Sequence, residues 1–395
     1  MNSDFINVSK MGLSNKKKLF NIIRYNPGIT RREIARIAGM NPSSVTNITN
    51  SLKEMGLITE EGTKKSPQPG RNSIRLEAIK EAAIVFVFHM GVEQTIFGIG
   101  YLNNMIELKE EFETEKDTEH FFDKVSEISK KYIREIGRKP VGIYFSLPGL
   151  VDRKNGVIYT LPNVGWKNID VKAEIEKRMG NHGLDIQIFN ETKVSLKSEK
   201  IINPEIEQLG NGIYLYLSVG VGGALLIDHK VYHGSAYNAG EFGHMSINDD
   251  GPLCHCGKRG CLEAYIGAEK IVKHYEVNGN LNGENTEEKF KSLMEFYRLN
   301  DAEARKIIDE MLGYLIHGIR NLIHIFNPDF FVIGGLGRDF TKENFDFIRK
   351  EVTGDTSFPV FRNVLIIPSR ESIEQSALHG CTLEAMDSYV NRFVV

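Results

Sequence analysis

Three of the chain's four cysteines fall within eight residues, inside the stretch GEFGHMSINDDGPLCHCGKRGCLE at positions 240–263. They are Cys254, Cys256 and Cys261, and His244 stands ten positions before the first of them. Three thiolates and one imidazole make a closed tetrahedral set for Zn2+. Gly251, Gly257 and Gly260 supply the turns that gather the ligands into one short loop. His255 lies inside the cluster, and spacing alone does not choose between it and His244 as fourth ligand. No coordination position stays open, so the metal is read as structural and not catalytic. Cys381 is left over and is read as a buried thiol.

A chain of 395 residues with 41% hydrophobic content has room for two or three domains with real cores. It contains no apolar run long enough to span a bilayer and no apolar block at its N-terminus of the signal-peptide kind. Few cysteines, most of them assigned to metal, argue for a reducing cytoplasm over a disulfide framework. No membrane partner is expected. The net charge of -3 hides an asymmetry. Residues 1–80 hold fourteen Lys or Arg against six Asp or Glu, a balance of +8, so the remainder carries -11. A basic head on an acidic body points to a nucleic-acid module joined to something that does not bind nucleic acid.

The head reads as a winged helix-turn-helix over residues 1–80. Leu19, Ile22 and Ile23 form an apolar stripe on a first helix that Pro27-Gly28 ends. Thr30 caps a second helix, with Glu33 completing a capping box, and Ile34, Ala35 and Ala38 face inward. Gly39 makes the turn. Asn41 caps a third helix with Pro42 in its first position, and Val45, Ile48 and Leu52 share its buried face. Ser43, Ser44, Thr46 and Asn47 then lie where a recognition helix meets base edges in a major groove. A hairpin starts at Leu57-Ile58. Its tip, KKSPQPGR at 64–71, has the character of a wing, with Arg71 suited to a phosphate backbone or a minor groove.

Beyond residue 80 the pattern is α/β. Strands are expected at 84–89, 95–101, 105–112, 141–145, 186–189, 213 onward, 224–227 and 330–333. A glycine turn is expected at 220–223. Helices are expected at 118–136, 263–275, 286–298 and 301–326, with a last one near 372–390. The glycine-histidine pair Gly243-His244, nine residues, and then CxCGxxGCxE resemble the zinc signature of the ROK family, which contains repressors, uncharacterised open reading frames and sugar kinases. The resemblance implies a two-lobed actin-like ATPase fold behind the winged helix. The first lobe would be 81–205, with the C-terminal helix 372–395 packed on it. The second lobe, with the zinc site, would be 206–371, and a ligand cleft would lie between them. It also favours His244 over His255 as zinc ligand and places that histidine at the sugar.

The family's chemistry can be followed position by position. Its kinases carry DxGGT on the first hairpin. Here the stretch is HMGVEQT, with His89 at the aspartate position and Val92 and Glu93 replacing the second glycine and the threonine. A glutamate near the phosphates of ATP would repel them. The catalytic Asn-Asp of the kinases is Asn190-Glu191, as in repressors of the xylose-repressor type. The second phosphate loop, SVGVGG at 218–223, keeps its glycines but has Val219 where a kinase offers threonine. Gly334-Gly335 resembles the adenosine-side turn. The sugar side is kept: Asn190, Glu191, Glu241, His244 and Glu263 match positions that hydrogen-bond sugar hydroxyls, and Pro148-Gly149 resembles the loop beside the sugar. Asn163 and Trp166 are expected in a loop that closes over it, or Trp166 in the core.

The expectation is therefore a sugar-responsive repressor without kinase activity, with operator DNA and a small sugar as partners, acting as a homodimer or higher homo-oligomer on paired half-sites. The runner-up is an ATP-dependent ROK sugar kinase that also binds DNA. A third reading is a sugar-independent repressor that keeps the scaffold for dimerisation.

Overall fold

The computed structural model describes residues 8–64, 73–162, 164–180, 183–277, 279–354 and 363–393. The chain divides into two compact units. One comprises Met1–Gly149, Arg153–Phe189 and Leu378–Val395, the other Leu150–Asp152 and Asn190–Ala377.

The first unit opens with α1 (Val8–Tyr25), β1 (Ile29–Thr30), α2 (Arg31–Ala38), α3 (Pro42–Glu54), β2 (Ile58–Lys64) and β3 (Ser73–Ala78). Both expected caps form. The Thr30 side chain accepts from Glu33 N, and the Glu33 carboxylate accepts from Thr30 N at 2.9 Å. Asn41 Oδ1 accepts from Ser44 N at 2.8 Å, with Pro42 in the first turn. Each such cap is worth about 1 kcal/mol. Leu19, Phe20, Ile23, Ile34, Val45 and Leu52 are buried and form the small core beneath the three helices, while Ile22 and Ala35 are only half-buried. The strands pair in the order β1-β3-β2, which is the wing topology. The wing tip, Arg71 included, lies outside the described residues.

The same unit continues with β4 (Ile84–Met90), β5 (Gln94–Tyr101), β6 (Ile106–Glu113), α4 (Thr118–Ile136) and β7 (Gly142–Leu147). Next come β8 (Leu150–Asp152, grouped with the second unit), β9 (Val157–Leu161), β10 (Trp166–Asp170), α5 (Val171–Met179) and β11 (Asp185–Asn190). Trp166 is not on a closing loop. It starts β10, is buried against Phe121 and Phe122, and donates its indole N–H to the Lys116 carbonyl at 2.6 Å. An indole that fills a gap between two phenyl rings and satisfies its one donor is a core residue. Asn163 lies outside the described residues.

The second unit contains α6 (Glu191–Ile202), β12 (Gly212–Leu217), β13 (Val221–Ile227), β14 (Lys230–Tyr232), α7 (Glu263–Ile266), α8 (Ala268–Glu276), α9 (Thr286–Arg298), α10 (Ala302–Phe326), β15 (Phe330–Gly335), α11 (Lys342–Thr353) and β16 (Leu365–Pro368). The final helix, α12 (Ile373–Phe393), gives its first residues to this unit and the rest to the first. The two five-stranded sheets have the same topology, β6-β5-β4-β7-β11 and β14-β13-β12-β15-β16. In each, an antiparallel hairpin opens the sheet and a later strand joins its first strand in parallel. This is the duplication expected of an actin-like fold.

Two expectations are corrected. The glycine turn at 220–223 is largely strand: Gly222 and Gly223 pair with Tyr216 and Leu215 inside β13. Glycine is needed there for space, since a Cβ on Gly223 would stand 2.5 Å from the Phe242 ring and 2.7 Å from the Gly240 carbonyl. The helix expected at 263–275 breaks at Gly267, which packs against Val219 O while Ala268 N donates to Ser218 O at 2.9 Å. Among the described residues no helix is long and apolar enough to cross a membrane.

Candidate functional site

The cysteine loop folds on its own backbone. Ile247 N donates to Gly260 O at 2.8 Å, Gly260 N to Pro252 O at 2.9 Å, and Cys254 N to Lys258 O at 2.8 Å. Gly260 has φ of +70°, and a Cβ there would lie 1.6 Å from the Asn248 carbonyl, so no other residue fits. The loop brings the donor atoms of His244, Cys254, Cys256 and Cys261 within 4.8 Å of one another. Zinc–sulfur and zinc–nitrogen bonds of about 2.3 and 2.05 Å, set tetrahedrally, require S···S near 3.8 Å and S···N near 3.6 Å. Cys256 Sγ and Cys261 Sγ are 3.7 Å apart, and Cys254 Sγ and His244 Nδ1 are 3.6 Å apart. His255 Nδ1 stands 4.0 Å from Cys254 Sγ but only 2.6 Å from Glu263 Oε1. The cluster therefore fits a tetrahedral metal ion with His244 as the nitrogen donor, while His255 is engaged by a carboxylate.

Glu263 ties this loop to the sheet. It starts α7 and is 9% exposed; its Oε2 accepts from Val221 N at 2.9 Å, at the head of β13. Asn190 and Glu191 stand at the junction where β11 runs directly into α6. Asn190 Oδ1 caps α6 by accepting from Thr192 N at 3.1 Å. The Thr192 hydroxyl donates to the Gly223 carbonyl at 2.9 Å and holds the head of α6 on β13. Glu191 is 8% exposed, and burial, followed by the charges of Glu374 and Glu287, pushes its pKa up to about 8.

Lys193 is a member of this group that the sequence reading missed. It is 5% exposed and donates to the Tyr237 carbonyl, which precedes Glu241 in the chain. Burial lowers its pKa, and Glu241 opposes the fall. Glu241 is exposed as a residue, yet the protein packed around its carboxyl raises its pKa, against the influence of His244 and Lys193 and with that of Glu263. The charges of His244, Lys193 and Glu263 thus all act on Glu241. A lysine in the first turn of a helix resembles a solvated residue in sequence, so its burial was not legible there.

A family model for the ROK family matches residues 86–382, and one for winged helix-turn-helix DNA-binding matches residues 14–59. The chain belongs to the ROK family. It is 26% identical to a xylose repressor of Caldicellulosiruptor bescii over 93% of this chain and 94% of that one. It is 30% identical to a glucokinase of Thermotoga maritima over 48% of this chain and 61% of that one. Among solved structures, a ROK family transcriptional regulator described as a homologue of the Escherichia coli MLC protein superposes with a TM-score of 0.74. That match has 22% identity and covers 96% of this chain and 99% of the other.

The ROK phosphate positions can now be located. His89 is buried in β4 with Nδ1 3.3 Å from Ser146 Oγ, and Glu93 is exposed at the β4–β5 turn. In the 218–223 loop the Ser218 hydroxyl donates to Glu287 Oε1 at 3.1 Å, so a carboxylate of α9 stands against this loop. On α3, inside the winged helix-turn-helix match, Ser43, Thr46 and Asn47 are exposed and Ser44 is half-buried. Ser43 Oγ donates to Asn41 Oδ1 and Thr46 Oγ1 to the Pro42 carbonyl, each at 2.8 Å. Asn47 shows its side chain to solvent without such a local bond.

Proposed function

We propose that this ROK protein is a sugar-responsive transcriptional repressor without kinase activity. What carries the reading is the presence in one chain of a DNA-binding winged helix at 14–59 and a ROK domain at 86–382. The winged helix reads operator DNA through α3, with Ser43, Ser44, Thr46 and Asn47 toward the bases and Arg71 on the wing. An aldose effector binds through Asn190, Glu191, Glu241, His244 and Glu263. Carboxylates and amides of this kind pair with vicinal hydroxyls, and leaving the buried ones, such as Glu191, without a ligand is costly. His244, Cys254, Cys256 and Cys261 hold a structural Zn2+. The protein works as a homodimer, in the cytoplasm where DNA is found.

Absence of phosphoryl transfer is supported by Glu287 on Ser218 and by His89 in place of an aspartate. A carboxylate in a phosphate loop repels polyphosphate. The test starts with selection of bound sequences from a randomised duplex pool. The selected duplex is then titrated with D-xylose, other aldoses and N-acetyl sugars, with and without ATP, while ATP consumption is followed. One sugar is expected to release the duplex without ATP being consumed. Turnover at an ordinary kinase rate, roughly 1–100 s⁻¹, would make the protein a kinase.

A further inference from the structure

Arg31 is the first residue of α2, yet its side chain acts on α3. Its Nε donates to Thr49 Oγ1 at 2.9 Å. Its Nη2 donates to Glu60 Oε1 at 2.8 Å and to Asn50 Oδ1 at 3.3 Å. These partners are themselves held. Thr49 is fully buried, and its hydroxyl donates to the Thr46 carbonyl at 3.0 Å. Glu60, on β2, accepts from Lys53 Nζ at 2.6 Å through its other oxygen. The guanidinium is thus fixed from α3 on one edge and from β2 on another, and the carboxamide of Asn50 meets a donor already set in place.

Asn50 lies in the middle of the outer face of α3. Ser43, Asn47 and Asn50 are spaced i, i+4 and i+7, which lines them up in one stripe along a helix, and all three are exposed. Val45, Thr49 and Leu52 are buried on the other side. A guanidinium has donors only, so the amide atom that faces it is the oxygen. The NH2 group is then the end that Asn50 has free to offer. An unconstrained asparagine reads adenine with both ends of its amide, accepting from N6 and donating to N7. With its oxygen committed to Arg31, Asn50 offers donors alone. The major-groove edge that answers with two acceptors is that of guanine, N7 and O6, whereas cytosine answers with an amine donor.

We propose that Asn50 reads a base of the operator, that the base is guanine, and that Arg31 sets this choice by holding the amide oxygen. The proposal rests on the reading of α3 as the recognition helix. Arg31 is a positioning residue in it and touches no base. The test is selection of bound sequences from a randomised duplex pool, run on the full chain and on Asn47→Ala, Asn50→Ala, Asn50→Asp and Arg31→Met. The parent is expected to return a motif with guanine at one position of each half-site, preferred about 10-fold, and Asn50→Ala to lose that preference at that position alone. Asn50→Asp exchanges donors for acceptors and should move the same position to cytosine. Arg31→Met frees the oxygen, so adenine should enter at that position while the rest of the motif stays. Asn50 is exposed, and its two variants carry the test if Arg31→Met fails to fold. A folded Arg31→Met that binds more weakly with its guanine preference intact would make Arg31 a clasp between helices and overturn the proposal. So would a parent motif in which the position that answers to Asn50 is any base other than guanine. A motif that responds to Asn47→Ala and ignores Asn50→Ala leaves the recognition helix standing and overturns the proposal alone. If the parent enriches no sequence, the recognition-helix reading fails and takes the proposal with it.

Discussion

Cys256 is the cysteine of the cluster that solvent reaches, whereas Cys254 and Cys261 are buried. Its replacement therefore removes a ligand without opening a cavity in the core. Metal binding at such a site is folding free energy, about 10–16 kcal/mol in the smallest zinc domains. Cys256→Ser is expected to lower the zinc content from about one per chain toward zero and to destabilise the second unit by several kcal/mol, read by metal analysis and urea unfolding. His244→Ala should lose the metal as well. His255→Ala should keep it, because the partner of His255 is Glu263 at 2.6 Å; a reversal of the two would exchange the fourth ligand. At this scale the sequence was readable where chemistry is local. Three cysteines within eight residues pointed to a ligand cluster from spacing alone, and their donor atoms do come together with that of His244. Lys193 and Glu199 do not announce burial. Glu199 is fully buried on α6, where burial pushes its pKa up to about 7, and its Oε1 accepts from Arg370 N, 171 residues away, at 2.8 Å. No window of the sequence contains both groups.

Elements whose ends carry their own signals were legible, and those held by distant partners were not. The capping residues Thr30, Asn41, Asp117 and Asn285 each accept from a backbone N–H of the first turn they introduce. The helices they begin stand where they were expected, although only the caps at Thr30 and Asn41 had been read from the sequence. The strands β8 to β10 are three to five residues long, too short for an alternation to stand out. Helix α6 follows β11 without a loop, so no turn residues marked it. The tie between α1 and α12 has no local signal at all. Arg24, 1% exposed, meets Asp387 across 363 residues of sequence and lies over the Tyr25 ring. Its Nε and Nη1 are buried without hydrogen-bond partners among the described residues, so Asp387 is its main compensation. Removing one partner of a buried pair strands a charge, at roughly 3–5 kcal/mol. Asp387 keeps 31% of its side chain open to water, which sets the expectation at the lower end. Asp387→Ala should cost about 3 kcal/mol in urea unfolding of the full chain, and Asp387→Asn clearly less, because the amide oxygen still accepts. Equal costs for the two would mean that the charge of Asp387 is immaterial.

The whole molecule separates its two reading surfaces. The α3 residues proposed to face the operator belong to the first unit, and the five proposed to face the sugar belong to the second. The charge split of +8 and -11 foretold two tasks, and the repeated sheet order shows how the second is built, but neither gives the coupling between them. Helix α12 is continuous across the boundary between units. Its first turn meets α6 through Ser376 and Ser195, four residues after Glu191, and farther along Asp387 holds Arg24 of α1. In the proposed function, where the sugar releases the duplex, the two ligands are antagonists. The sugar-bound and operator-bound states should therefore exclude one another in part. Coupling free energy is reciprocal, so operator must weaken sugar binding by the same factor by which sugar weakens operator binding. A factor of roughly 5–150 is the range such couplings span. The expectation is checked by titrating the full chain with the effector aldose alone, with a saturating selected duplex, and with a scrambled duplex of equal length. Affinity should fall only with the selected duplex, and the complementary titration of duplex with and without sugar must return the same ratio. Sugar affinity that ignores the selected duplex would leave the sugar bound but outside the control of transcription.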